Sequence, residues 1–168
     1  MIEPMRRIGI EYESEEIVEE TIELCGYRAN YIAIVCDEIL KVINGNIITK
    51  ESVERALQSD SVNSMLSGWG EFGESLLEER VDKLVVLLNI TKDSFRLKDI
   101  VNEFKELGLN IDIDIIQKSL DRLVLGYIIK REKGNYYFRV PLLKRRILEL
   151  EDDINILIDE FVTSLKAM

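Results

Sequence analysis

Apolar residues recur at helical spacing through most of the chain, and the breaks between apolar stretches carry capping or turn residues. Between Ser14 and Gly26 the apolar positions follow a helical period, Ser14 can cap the first turn, and Gly26 can end the helix. A wider apolar stripe over residues 27–45 predicts a central helix that stops at an Asn-Gly pair. Thr49 can cap a third helix, and residues 62–66 predict a short fourth one.

The second half of the chain combines helical periodicity with one strand pattern. Two helices are predicted within residues 75–107, and Asp112 or Asp114 can cap a third. The next segment is YIIKREKGNYYFRV, in which β-branched and aromatic residues flank Lys133-Gly134-Asn135, a composition typical of a two-stranded hairpin. Three helices followed at once by a hairpin, in about 60 residues, predict a winged helix-turn-helix.

A glycine-rich stretch, SGWGEFGE, separates the two halves, and we expect Trp69 and Phe72 to anchor this link against a core. Pro141 suits the first position of a final helix that runs to about Leu165. The predicted fold class is thus mostly α, with an N-terminal helical subdomain, a winged helix-turn-helix and a C-terminal helix. These parts are assigned to residues 1–70, 71–147 and 148–168.

The final helix carries apolar residues at alternating spacings of four and three. This spacing suits a coiled-coil seam, through which the chain can form an oligomer, and it equally suits packing on other helices of the same chain. The seam consists of Leu143, Ile147, Leu150, Ile154, Leu157 and Phe161.

Composition agrees with a helical protein, and the charge is unevenly distributed. The chain is 46% hydrophobic and has only two prolines and nine glycines, a balance that suits long helices. The net charge of -10 divides into -11 over residues 1–79, +6 over residues 80–147 and -5 over residues 148–168. A basic segment between two acidic ones indicates that an anionic partner such as DNA would meet the middle of the chain.

Residue types that support catalysis or metal binding are scarce. Histidine is absent from the sequence, and Cys25 and Cys36 lie in apolar-periodic stretches without CxxC spacing, so we predict two buried, reduced thiols. We expect no metal site and no cofactor. No apolar run approaches the ~20 residues that span a bilayer, and the N-terminus turns acidic where a signal peptide would be hydrophobic. The sequence therefore predicts a cytoplasmic chain without membrane contact.

The predicted third helix and hairpin supply the candidates for DNA contact. A winged helix would place its third helix in the major groove and its hairpin against phosphate. Gln117, Lys118 and Arg122 are predicted to face outward on the helix, although the nearby acids would repel phosphate. The alternatives are that the cations form a solvated edge or pair with the acidic first subdomain. Further candidate cations are Lys130, Arg131, Lys133, Arg139, Lys144, Arg145 and Arg146.

Three aromatic residues follow one another on the second predicted strand, at Tyr136, Tyr137 and Phe138. Successive side chains on a strand point to opposite faces. We therefore expect two of the rings to pack in the core and at least one to face solvent, where it could stack on a base or a partner.

The first 40 residues resemble the helical lid that follows the nucleotide-binding core in STAND and origin-recognition-like AAA+ ATPases, and the resemblance extends through the winged helix to about Ile147. It implies that Gly26 and Arg28 lie at a nucleotide lid. Arg28 stands where the family often has histidine, and Ala29 replaces the proline that often lies near the adenine. The positions that fit the family pattern are Gly26, Tyr31, Ile32, Cys36 and Leu40.

The phosphate-binding elements of such an ATPase do not occur in this sequence. There is no GxxxxGK[ST] and no apolar strand that ends in a magnesium-binding acidic pair, so we expect no catalysis by this chain alone. The opening Ile2-Glu3-Pro4 suggests either a piece of a longer ATPase or a gene product that has lost the core.

The sequence thus predicts a non-catalytic regulatory module, lid plus winged helix, that contacts DNA, an ATPase core in the same protein or another protein partner. The alternative is a freestanding winged-helix transcription regulator whose N-terminal helices bind a partner or dimerise.

Overall fold

The computed structural model describes residues 1–67, 77–150 and 154–167 of the chain. These residues are mostly helical, which confirms the predicted class, and their strands are two to four residues long. The chain divides into two compact units, Met1–Trp69 and Gly70–Met168. Within the described ranges, no helix combines the length and the apolar character needed to cross a membrane.

Capping side chains fix the starts of two helices in the first unit. Ser14 Oγ accepts a hydrogen bond from the backbone N–H of Ile17 at 3.4 Å, and Thr49 Oγ1 accepts one from Ser52 at 3.3 Å. Each satisfies a backbone donor that has no partner within its helix. The elements of this unit are α1 (Ile2–Arg7), β1 (Glu11–Tyr12), α2 (Glu15–Leu24), α3 (Ala29–Val42), β2 (Ile47–Ile48), α4 (Lys50–Leu57) and α5 (Asp60–Ser67).

Helix α3 is the centre of the first unit, because α4 and α5 both pack against it. Its residues Val35 and Ile39 are fully buried. The strands β1 and β2 pair in parallel, with Tyr12 opposite Ile48. This pairing joins two segments that are far apart in the chain, and the sequence pattern did not predict it.

The two cysteines are free thiols in different surroundings. Cys25 is fully buried at the end of α2, and burial raises the pKa of its thiol to about 12. Cys36 on α3 is only partly buried, which differs from the prediction that both thiols are buried. Burial is also the main cause that raises the pKa of Cys36.

A single helix forms the centre of the second unit. Every residue from Val81 to Leu87 on this helix is buried, because three other helices pack around it. A helix buried on all sides is apolar around most of its circumference. The elements of this unit are α6 (Leu77–Asn89), α7 (Leu97–Glu106), α8 (Ile113–Leu125), β3 (Ile129–Glu132), β4 (Asn135–Phe138), α9 (Pro141–Leu150) and α10 (Ile154–Lys166).

Helix α8 begins at the predicted cap, since Asp112 Oδ1 accepts a hydrogen bond from the backbone N–H of Asp114 at 2.9 Å. The strands β3 and β4 then form the predicted antiparallel hairpin. A third backbone segment joins this sheet at Phe95, which exchanges hydrogen bonds of 3.1 and 2.8 Å with Tyr136. Phe95 therefore adds one bridged residue to the edge of the hairpin.

Two predictions fall partly on residues that the structure does not describe. The glycine-rich link, with Trp69 and Phe72, lies outside the described residues beyond its first serine. The C-terminal helix predicted from Pro141 onwards is described as α9 and α10, and residues 151–153 between them lie outside the described part.

Helix α10 packs against α6 of the same chain. The ammonium group of Lys83 lies 5.6 Å from the centre of the Phe161 ring, and Arg80 donates a hydrogen bond to the hydroxyl group of Ser164. Part of the apolar seam is therefore used for packing within the chain, one of the two roles that its spacing allows.

Candidate nucleic-acid interface

The hairpin has two different faces, which follow from its register. Ile129 pairs with Phe138 and Arg131 pairs with Tyr136, so these four side chains share one face. This inner face packs against the rest of the second unit. Tyr136 is 2% exposed, and its ring stacks on the Phe95 ring with 5.8 Å between the ring centres. Arg131 lies farther out on the inner face, with its guanidinium group 5.7 Å from the centre of the Tyr136 ring.

The outer face carries cations beside aromatic rings. Lys130 pairs with Tyr137 across the two strands, and its ammonium group lies 5.8 Å from the centre of the ring. Arg139 lies two residues beyond Tyr137 and stacks its guanidinium group on Tyr127, 4.4 Å from the ring centre. At these distances a cation is attracted to the face of an aromatic ring.

The aromatic residues divide between the two faces as expected from their alternation. Tyr136 is buried, and Phe138 also packs inward with its ring centre 6.2 Å from that of Phe95. Tyr137 is the one of the three on the outer face.

The turn of the hairpin exposes a further cation. Lys133 has a φ of 50° and Gly134 a φ of 85°, the left-handed backbone that a tight two-residue turn requires. Lys133 is exposed, as are Lys130 and Arg131. Lys130 also forms an ion pair of 2.9 Å with Glu132, and both side chains are solvated, so the pair constrains the lysine only weakly.

The cations at the start of α9 are engaged within the unit. The ammonium group of Lys144 donates a hydrogen bond of 3.0 Å to the carbonyl oxygen of Lys92 and lies 5.8 Å from the centre of the Phe138 ring. Arg145 and Arg146 both form ion pairs with Glu149, at 2.8 and 3.5 Å. These three residues therefore contribute less to an open basic surface than the sequence suggested.

Arg122 on α8 differs most from its predicted role. Its Nη2 and Nε atoms donate hydrogen bonds of 2.7 and 2.8 Å to the two carboxylate oxygens of Asp82 on α6. The Asp82 side chain is only 4% exposed. A further ion pair of 3.5 Å joins Arg122 to Glu78, so this arginine faces α6 rather than solvent.

The remaining surface of α8 is acidic and partly apolar. Gln117 is half-buried and donates a hydrogen bond of 3.0 Å to Asp121, which leaves Lys118 as the exposed cation among the predicted helix candidates. At the ends of the helix, Ile113 is 53% and Leu125 is 77% exposed. One exposed stripe along the helix is made of Asp114, Lys118, Asp121 and Leu125.

The predicted nucleotide-lid residues lie in the first unit, on the turn between α2 and α3. Gly26 and Tyr27 both have left-handed backbone, with φ values of 60° and 59°. Arg28 donates a hydrogen bond of 3.0 Å to the hydroxyl group of Tyr31 and stacks on its ring at 4.3 Å. The Arg28 side chain is thus held against α3.

Sequence reasoning missed Tyr127, which precedes the hairpin and packs against Arg139. The sequence offered no clear signal, because glycine is the usual left-handed residue after a helix, whereas here Gly126 has a φ of -72° and Tyr127 has a φ of 60°. No family model, curated protein or solved structure matches this chain.

Proposed function

We propose that residues 77–147 act as a winged helix in a non-catalytic regulatory module, and that its hairpin binds the phosphate backbone of nucleic acid. The order of elements supports this, because α6, α7 and α8 are followed directly by the hairpin β3–β4. The bridge between Phe95 and Tyr136 adds the third backbone segment that fixes the hairpin on the helices.

The observation that carries the proposal is the contrast between hairpin and helix. The hairpin exposes Lys130, Arg131 and Lys133 together with one acid, Glu132, a local charge of +2, whereas the exposed stripe of α8 carries two aspartates and one lysine, a local charge of -1. Phosphates attract the first surface and repel the second. The hairpin therefore provides most of the affinity, and insertion of α8 into the major groove is disfavoured.

A protein contact through α8 is the second candidate, and it is favoured by the exposed Ile113 and Leu125 at the two ends of the helix. Ile113 and Leu125 lie at opposite ends of α8 and do not form one contiguous apolar patch, so this candidate ranks below the first. The hairpin and α8 can serve different partners, DNA for one and a neighbouring domain for the other.

We further propose that this module works beside an ATPase core, as the regulatory part of a STAND or AAA+ type protein. The support is the resemblance of the first unit together with its strained turn. Tyr27 holds left-handed backbone, which is uncommon for a residue other than glycine and is often found at functional sites. ATPase activity that appears only when this chain joins a partner core would support this part.

Titration of a labelled duplex with the full chain tests the phosphate contact. The triple variant Lys130→Ala, Arg131→Ala, Lys133→Ala should weaken binding equally for unrelated sequences. It should also flatten the slope of log affinity against log salt by about one unit per lost contact. A matched control removes three exposed cations of the first unit, namely Arg6, Arg7 and Lys50.

The control variant has the same total charge as the hairpin variant, so it separates a local contact from a general charge effect. If both variants weaken binding alike, the hairpin is not the contact surface. If the full chain binds neither a duplex nor a single strand even at low salt, the hairpin does not bind nucleic acid.

A further inference from the structure

We propose that the outer face of the hairpin binds unpaired bases, so that the chain prefers single-stranded nucleic acid or a duplex with a single-stranded end. This inference rests on the proposed function and names the form of nucleic acid that the hairpin recognises. The residues that carry it are Tyr127, Tyr137 and Arg139, with Lys130 beside them.

Tyr127 is placed for stacking by an unusual backbone. It is 48% exposed and has a φ of 60°, directly after Gly126, which ends α8. This is the left-handed position of a helix cap, in which the backbone N–H groups of Tyr127 and Ile128 donate hydrogen bonds of 3.1 and 3.0 Å to the carbonyl oxygens of Val124 and Leu123. Glycine is the usual residue there, so a tyrosine adds an aromatic ring directly before the hairpin. The ring lies against the guanidinium group of Arg139, the residue that directly follows β4.

Both the backbone and the side chain of Arg139 make contacts that hold it in place. Its backbone N–H donates a hydrogen bond of 2.9 Å to the carbonyl oxygen of Ile128, and its guanidinium group lies 4.4 Å from the centre of the Tyr127 ring. Tyrosine rings and guanidinium planes are both surfaces on which nucleic-acid bases stack. A preformed stack of the two offers a flat, positively charged platform.

Tyr137 extends this platform along the strand. Arg139 lies one residue beyond β4, and its backbone hydrogen bond to Ile128 continues the strand pairing. The alternation therefore puts it on the same side as Tyr137, roughly 7 Å further along. Lys130 lies over the Tyr137 ring and is exposed, so a phosphate next to a stacked base meets a cation. Alternation of stacking rings with cations is the composition of single-strand binding surfaces.

Bases inside a duplex cannot use such a platform, because each base already stacks on its neighbours. Unpaired bases in strands, loops and frayed ends have open faces. The acidic stripe of α8 also disfavours the major-groove contact that a duplex reader requires. The aromatic outer face and the acidic helix therefore both favour unpaired nucleic acid.

The test compares three probes with the full chain: an oligothymidine of about 20 nucleotides, an abasic strand of the same length, and a blunt duplex. The abasic strand keeps the phosphates and removes the bases, so it isolates stacking. We expect the oligothymidine to bind more tightly than the other two at equal salt.

The variant Tyr127→Leu should weaken oligothymidine binding by about fivefold to a hundredfold, as loss of one stacking ring does. Binding of the abasic strand should stay the same, which also shows that the variant is folded. Tyr127→Phe keeps the ring and should bind like the original chain. The matched control is Ile8→Ala, which shortens an exposed apolar residue of the first unit (59% exposed) and should leave binding of all three probes unchanged.

Equal binding of oligothymidine and abasic strand, with no effect of Tyr127→Leu, overturns this inference while the phosphate contact of the hairpin stands. A preference for the blunt duplex overturns it as well. If none of the three probes binds at low salt, the proposed function fails, the inference fails with it, and a protein partner becomes the better interpretation of this surface.

Discussion

Replacing Arg122 with methionine removes an ion pair between α8 and α6. Two hydrogen bonds, of 2.7 and 2.8 Å, join this guanidinium group to Asp82. Two further contacts join Arg122 to Glu78: a hydrogen bond of 3.2 Å from Nη2 to the backbone carbonyl oxygen and an ion pair of 3.5 Å with the carboxylate. Methionine fills similar volume without charge, so the variant leaves the Asp82 carboxylate buried and unpaired.

The size of the effect follows from the burial of the two partners. Removal of one partner from a buried ion pair costs about 3–5 kcal/mol, because the other charge stays in the interior. The Asp82 side chain is 4% exposed but that of Arg122 is 34% exposed, so water can reach the site once the arginine is removed. We therefore expect the second unit to lose about 2–3 kcal/mol of unfolding free energy.

Hydrogen exchange of the full chain measures this loss in the second unit. Amide protection in α6 and α8 should fall by roughly 30- to 150-fold, as 2–3 kcal/mol requires, while protection in α3 of the first unit stays the same. The control Arg96→Met breaks an exposed pair with Asp99 at 3.5 Å and should cost about 0–1 kcal/mol.

The double variant Asp82→Leu, Arg122→Met tests whether the two residues depend on each other for stability, because it removes both charges of the pair. This variant should be more stable than Arg122→Met alone, because an apolar pair replaces the orphaned carboxylate. The reasoning is refuted if Arg122→Met costs no more than Arg96→Met, or if the effects of the two substitutions simply add.

Three further predictions concern stability and thiol chemistry. Thr49→Ala removes the side chain that accepts from Ser52 and should lower the unfolding free energy by about 1 kcal/mol in denaturant titration; an unchanged midpoint would contradict the role of the cap. Leu84→Ala leaves a cavity at a fully buried position of α6 and should cost about 2–5 kcal/mol by the same measurement. Burial raises the pKa of Cys25 from 9.0 to about 12, so this thiol should resist Ellman's reagent at neutral pH until the chain unfolds. The neutral, buried Cys25 thiol stabilises the fold at neutral pH, and this stabilisation should be lost as the pH rises from 9.0 towards about 12. Fast labelling of Cys25 in the folded chain would contradict the prediction.

Features set by one helical turn or one hairpin could be predicted from the sequence. The caps at Ser14, Thr49 and Asp112 depend on side chains that reach backbone two or three residues away, so no distant partner has to be known. The hairpin likewise follows from its turn residues and from the alternation of its strands. In these cases local chemistry and the final fold agree.

Features that join distant parts of the chain could not be predicted in this way. The parallel strands β1 and β2 are each two residues long, which is too short to produce a periodic pattern in the sequence. Arg122 lies near the edge of the apolar face of α8, where the helical period permits it to face either way. Its partner Asp82 is 40 residues earlier in the chain and decides the direction.

The candidate interface depends on how charges pair, which a count of charged residues cannot reveal. Residues 80–147 carry +6 in total, yet Arg122 neutralises a buried carboxylate on α6, and Arg145 and Arg146 share Glu149. Three exposed cations lie on the hairpin, two of them, Lys130 and Arg131, beside its aromatic rings. A second group of three lies on α7 or at its start, at Arg96, Lys98 and Lys105. Since the field of a charge weakens over a Debye length of ~8 Å, a phosphate responds to a local cluster rather than to the total. The acidic stripe of α8 can thus belong to the same unit and still leave the hairpin attractive to nucleic acid.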